Sequence, residues 1–141
     1  MLQNRFELSD LQVEHHSQFL PLIEADPELL KEVLVNLLVN ACEAMGPGGR
    51  LTVTEEEATA ELIGRAVQVQ VSDTGPGIAE ALRDKVFEPF FSTKEDGTGL
   101  GLSIAQRIVD EHGGRLELRS PEGQGATFVI TLPCPAGEGS A

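Results

Sequence analysis

Three groups of residues in this chain carry types and spacings that chemistry can use. The first lies in FSTKEDGTGLGLSI (91–104), where charged and hydroxyl side chains run into Gly97, Gly99 and Gly101 just before a helical pattern. A helix beginning there aims unpaired N–H groups and its positive end at the loop, which suits a phosphate, and Lys94 adds a point charge. A plain mobile loop competes with that reading, because the spacing is neither GxGxxG nor GxxxxGK[ST]. The second group is VSDTGPGI (71–78). Asp73 at a strand end can make a local Asx turn, or its carboxylate can accept a hydrogen bond from an exocyclic amino group such as that of adenine. In the second case Gly75 and Gly77 let backbone approach the flat ring. The third is a stripe of Glu32, Asn36, Asn40 and Glu43 beside the apolar face of a helix. A solvated face is the ordinary explanation. Two asparagines at i, i+4 fit it poorly, since Asn is a weak helix former and its carbonyl is a hard oxygen donor suited to Mg²⁺.

The elements that position these groups can be read from periodicity. DPELLKEVLVNLLVNACEAM (26–45) is a helix with Asp26 as N-cap and Pro27 in its first turn, and Gly46-Pro47 stops it. LSIAQRIVDEHGG (102–114) is a second helix, ended by Gly113-Gly114. RLTVT (50–54), AVQVQV (66–71), RLELRS (115–120) and ATFVITLP (126–133) alternate as half-buried strands. Two further extended stretches are expected near 5–13 and 17–24, and a short helix near 79–86. This order predicts an α/β (α+β) two-layer sandwich: a mixed, mostly antiparallel sheet of about five strands with about three helices on one face. One domain is expected over 1–133, with 134–141 as a disordered tail.

Bulk properties narrow the partners. A net charge of −13 and a pI near 4.5 speak against nucleic acid, which needs a basic field. Cys42 falls in an apolar helical pattern and reads as a small buried hydrophobe, and no CxxC appears. No run reaches the ~18 apolar residues of a membrane span, so no direct membrane contact by this chain is expected. A reducing cytoplasm is the simplest setting.

Together, NLLVNACEA (36–44), DTGPGI (73–78), FEPFFSTK (87–94), GTGLGLSI (97–104) and GQGATFVITLP (123–133) stand in the order of the sequence boxes of sensor histidine kinases. The chain resembles the catalytic, ATP-binding domain of that family, whose fold is shared with gyrase, Hsp90 and MutL type ATPases. The resemblance covers about residues 5–133 and leans toward the nitrogen-regulation type. It implies ATP and Mg²⁺ as cofactors, with Asn40 on the metal and Asn36 beside it. Asp73 would bind the adenine amino group, with Gly75, Gly77 and Ile78 shaping that pocket and the Thr127 hydroxyl supporting it. Phe87, Phe90 and Phe91 would anchor a lid whose Lys94, Gly97, Thr98, Gly99, Leu100, Gly101 and Leu102 contact phosphates. Asn36, Asn40 and Lys94 are the implied catalytic residues.

Hydrolysing relatives carry a glutamate one helical turn before the metal-binding Asn. Here that position is Asn36, which takes no proton at neutral pH. The implied reaction is therefore transfer of the γ-phosphoryl group to a histidine that is itself a nucleophile. His15 and His16 lie in an extended stretch rather than the helical hairpin that such a histidine uses. His112 sits at the end of the second helix, where it is expected to complement the helix charge. The expected partners are a separate dimerisation and phosphoacceptor helical domain and, downstream, a response regulator. A nucleotide-binding module without transfer activity and a stand-alone ATPase are the alternatives.

Overall fold

Asp26 sets the start of the first helix. Its Oδ1 accepts the N–H groups of Glu28 (2.9 Å) and Leu29 (3.3 Å), two of the donors that a helix start leaves unpaired. The helix, α1, spans Pro27–Met45. The structure, a computed structural model, describes residues 12–18, 20–45, 48–60, 63–89, 101–120 and 125–135. The expected Gly46-Pro47 stop and the tail from 136 onward lie outside the described residues.

The second helix, α2, spans Gly101–Glu111 and ends as its glycines predict. Gly113 takes φ +74°, its N–H donates to Asp110 O (3.0 Å), and Gly114 N–H reaches back to Val109 O (3.0 Å). The strands are β1 (Gln12–Ser17), β2 (Arg50–Ala60), β3 (Gly64–Asp73), β4 (Arg115–Arg119) and β5 (Thr127–Pro133). They form one sheet in the order β1-β2-β3-β5-β4. β1 runs parallel to β2, and every other pair is antiparallel. A mixed, mostly antiparallel five-stranded sheet with helices against one face is thus what forms.

Alternation places one set of side chains under the helices. Val33, Leu37 and Ala41 of α1 and Ala105, Ile108 and Val109 of α2 bury against Leu51, Val71, Leu116, Phe128, Ile130 and Leu132 of the sheet. Cys42 joins this core as a small hydrophobe, as its place in the helical pattern predicts. The opposite face is not wholly polar. Val129 and Thr131 are fully buried there, and the Gln68 amide donates to the Thr131 hydroxyl (3.3 Å).

Two expectations need correction. The helix near 79–86 is a single 3-10 turn, Glu80–Leu82, so the described residues hold two α-helices rather than three. Ala79 before it makes no side-chain cap bond, and the N–H groups of Arg83, Lys85 and Glu88 that follow close tight three-residue turns. Among the described residues the stretch near 17–24 joins no ladder beyond Ser17; Pro21 lacks an N–H for one, and Leu22 stays largely exposed. The stretch expected near 5–13 lies outside the described residues up to residue 11, and the described part of the chain opens with the strand Gln12–Ser17.

Candidate functional site

Asp73 is the last residue of β3 and follows Val71 on the helix-facing side of the sheet. It is 7% exposed. Its backbone N–H donates to Ala126 O (2.9 Å), extending the β3–β5 ladder by one step. Its Oδ1 accepts two N–H groups, from Gly75 (2.9 Å) and Ala126 (3.3 Å). Among the described residues no hydrogen bond falls on Oδ2, which leaves that oxygen for a donor from outside. Burial pushes the carboxyl above its ordinary value, and the two N–H bonds pull in the opposite direction without cancelling it.

The walls around Asp73 are backbone. Gly125 has φ +78°, and a Cβ there would sit 2.1 Å from Asp73 O, so only glycine allows this approach. Ser120, 2% exposed at the end of β4, takes the Ile78 N–H on its Oγ (2.8 Å) and donates to Gly125 O (3.1 Å). The Arg83 guanidinium donates to the Ser120 carbonyl. The Ile78 side chain rests against the core. Thr74 ties this loop to the end of α1, where its N–H points at Met45 Sδ (3.4 Å).

The asparagine stripe faces the start of α2. Asn36 Nδ2 donates to Gly101 O (3.2 Å), joining α1 to the last residue of the glycine-rich segment. Asn40, half-buried, lies one turn along, and Glu32 and Glu43 are exposed. Leu102 packs against the core. Lys94, Gly97, Thr98, Gly99 and Leu100, together with Phe90 and Phe91, lie outside the described residues. Phe87 makes an edge-on contact with the buried ring of Phe128 at 6.1 Å and so belongs to the core. Two open surface cavities, of about 630 and 410 Å³, adjoin Phe87 and do not include Asp73.

Two expected roles change. Thr127 is not brought to Asp73: its hydroxyl bonds Ser72 Oγ (2.8 Å), and both residues alternate away from the face that carries Asp73 and Phe128. The Ala126 backbone stands in its place. His112, expected to complement helix charge, instead links the two helices. Its Nδ1 bonds Ile108 O (2.8 Å), while Nε2 accepts the Asp26 N–H (3.1 Å), which makes it the neutral Nδ1–H tautomer. His15 and His16 sit exposed on β1, with His15 Nε2 3.1 Å from Glu55.

Ser120 was not singled out by its residue type. Its signal lies in alternation: in RLELRS, Leu116, Leu118 and Ser120 share a face, so a hydroxyl stands where the strand pattern calls for an apolar side chain.

Residues 25–136 match the model of the histidine kinase-, DNA gyrase B- and HSP90-like ATPases. The chain belongs to that family, as an ATP-binding domain of the sensor histidine kinase type. It is 46% identical over 81% of its length to the sensor histidine kinase ZraS of Escherichia coli K12, of which it covers 23%. The solved catalytic domain of histidine kinase ThkA superposes with a TM-score of 0.80 at 37% identity, covering 94% of this chain and 84% of that one. Full-length ShkA, solved with AMPPNP, gives 0.76 at 33% identity, over 94% of this chain and 29% of that one. The chain therefore spans about a quarter of the curated relatives that it matches. Among the described residues no helix is long and apolar enough to cross a membrane.

Proposed function

We propose that the chain binds Mg·ATP beside Asp73 and presents the γ-phosphate to a histidine on a separate dimerisation and phosphoacceptor domain. The observation that carries this reading is the carboxylate itself. Backbone N–H groups occupy Oδ1 and hold it still, and Oδ2 remains to receive the adenine amino group. Gly125 lets the backbone close against Asp73, where a Cβ would strike the Asp73 main-chain oxygen. Asn40 would supply an amide oxygen for magnesium. Magnesium takes few protein ligands and keeps phosphate and water for the rest, which suits an asparagine site. Bound magnesium would neutralise charge on the triphosphate.

In the transfer, a nitrogen of the partner imidazole bonds to the γ-phosphorus while the bond from that phosphorus to the β–γ bridging oxygen breaks. ADP leaves with the electron pair, and the imidazole N–H proton is lost to solvent. No base on this chain is needed. Asn36, where hydrolysing relatives carry glutamate, gives its amide to Gly101 O and steadies the segment that leads into α2. Lys94, Thr98, Gly99, Leu100, Gly101 and Leu102 are assigned to the phosphates from the sequence pattern. The boundary at residue 133, a cytoplasmic setting and a downstream response regulator belong to the same proposal. Histidine kinase ThkA has been solved in complex with response regulator protein TrrA, at a TM-score of 0.77 to this chain, which supports the last.

The test mixes the chain with labelled ATP and a helical phosphoacceptor domain from the same protein. Acid-labile, base-stable label on the histidine is expected. Tight ATP binding with no transfer to that domain would instead support a binding module.

A further inference from the structure

We propose that Ser120 is a positioning residue for the purine pocket, setting the orientation of the peptide unit that locks Asp73. This rests on the reading of Asp73 as the adenine-binding carboxylate. The Gly125–Ala126 peptide is held at both ends. Its carbonyl accepts the Ser120 hydroxyl (3.1 Å), and its N–H donates to Asp73 Oδ1 (3.3 Å). Rotation of that plane would turn the N–H away from the carboxylate, and Gly125, at φ +78°, resists such rotation less than any other residue. The restraint must come from outside the loop. Ser120 also fixes the other wall, since its Oγ accepts the Ile78 N–H at 2.8 Å. A side chain that both donates and accepts is needed at this one buried point. At 2% exposure there is no room for bulk water to replace it. Behind it, the Arg83 guanidinium holds the Ser120 carbonyl and ties the 3-10 turn to the same point. Ser120 touches no ligand in this account; it acts through Asp73 and Ile78.

The experiment is calorimetric titration of wild type, Ser120→Ala, Asp73→Asn and the double variant with ADP and with GDP, and with magnesium tripolyphosphate alone. Ser120→Ala is expected to weaken ADP by about tenfold, the worth of one hydrogen bond between buried neutral groups, and to narrow the preference for ADP over GDP. Tripolyphosphate binding should be unchanged. In the Asp73→Asn background the same substitution should have a smaller further effect, because the route through the carboxylate is already lost and only the Ile78 wall remains to be disturbed. Wild-type ADP affinity and selectivity in Ser120→Ala would overturn the proposal, as would an undiminished loss in the double variant. Wild type with no preference for ADP over GDP would count against the pocket itself rather than against Ser120. Should the alanine variant not fold, the wild-type amides of Ile78 and Ala126 decide. Both are expected to shift and to gain exchange protection when ADP saturates the protein, and two unchanged amides would refute the inference.

Discussion

Asp73→Asn separates recognition from stability more cleanly than any other change in this protein. An asparagine in the same rotamer keeps its Oδ1 toward the Gly75 and Ala126 N–H groups, so the local fold retains both bonds. Its Nδ2 then replaces Oδ2, and a donor faces the donor on the purine. The lost contact is a hydrogen bond to a charged group, worth about 1.5–3 kcal/mol, which raises the ADP dissociation constant roughly 10- to 150-fold. Stability should move the other way. The folded carboxyl sits above its ordinary value because burial disfavours its charge. A raised carboxyl contributes stability below its unfolded pKa of about 3.9 and loses that contribution as pH rises through the folded value. At pH 7 the carboxylate is therefore a net cost that asparagine removes. The variant should melt at or above the wild-type temperature at pH 7, and the gap should close as pH falls toward 4. Other acids titrate alike in both proteins and cancel from the difference. Calorimetry with ADP and thermal melting by circular dichroism provide the readouts, since the chain has no Trp or Tyr. Unchanged ADP affinity would place the purine elsewhere. A large drop in melting temperature would mean that the charge serves the fold and the reasoning about burial is wrong.

The other predictions test separate parts of the site. Gly125→Ala forces a Cβ to 2.1 Å from Asp73 O at φ +78°; a cost of about 2–3 kcal/mol should lower the melting temperature by roughly 5–10 °C and weaken ADP. Asn40→Ala should reduce ADP affinity in magnesium to that measured with a chelator present, while leaving adenosine binding intact; a chelator-dependent difference that persists would show that the metal is held elsewhere. His112→Ala deletes the link between Ile108 O and the Asp26 N–H, and a loss of about 1–2 kcal/mol in thermal unfolding with unaltered ADP affinity is expected. Loss of nucleotide binding in that variant would mean that helix placement, not cap chemistry, depends on it.

Much of this architecture was legible because each element carries more than one local signal. α1 has its N-cap, its proline and a helical apolar stripe in agreement, and the structure follows them. The strands declared themselves by alternation, and AVQVQV simply continues to Asp73. The stretch 79–86 had helical composition without a cap, and there composition alone misled. For the proposed site, residue type singled out Asp73 and the asparagines, because carboxylates at strand ends and amides beside an apolar stripe are locally costly, and the structure buries Asp73 and sets Asn36 against Gly101. Residue type pointed wrongly to Thr127, whose hydroxyl looked like the chemical group but alternates away from the pocket.

If Asp73 holds the purine as proposed, that error points to backbone as the source of the pocket's selectivity. At the decisive contact the chain offers Asp73 a peptide N–H from Ala126, and a methyl side chain cannot contribute more. Side-chain chemistry has been moved one strand away, to Ser120, which acts by orienting that peptide. Such an arrangement holds an acceptor still without placing a second polar side chain against the purine. Its consequence is that substitutions at 126 should matter through backbone freedom rather than polarity. Ala126→Ser should leave ADP affinity within a few-fold of wild type, whereas Ala126→Pro, which deletes the N–H that reaches Asp73, should cost as much as losing the carboxylate. A proline variant that still discriminates ADP from GDP by calorimetry would show that the peptide does not hold the carboxylate, and the pocket would need a different anchor.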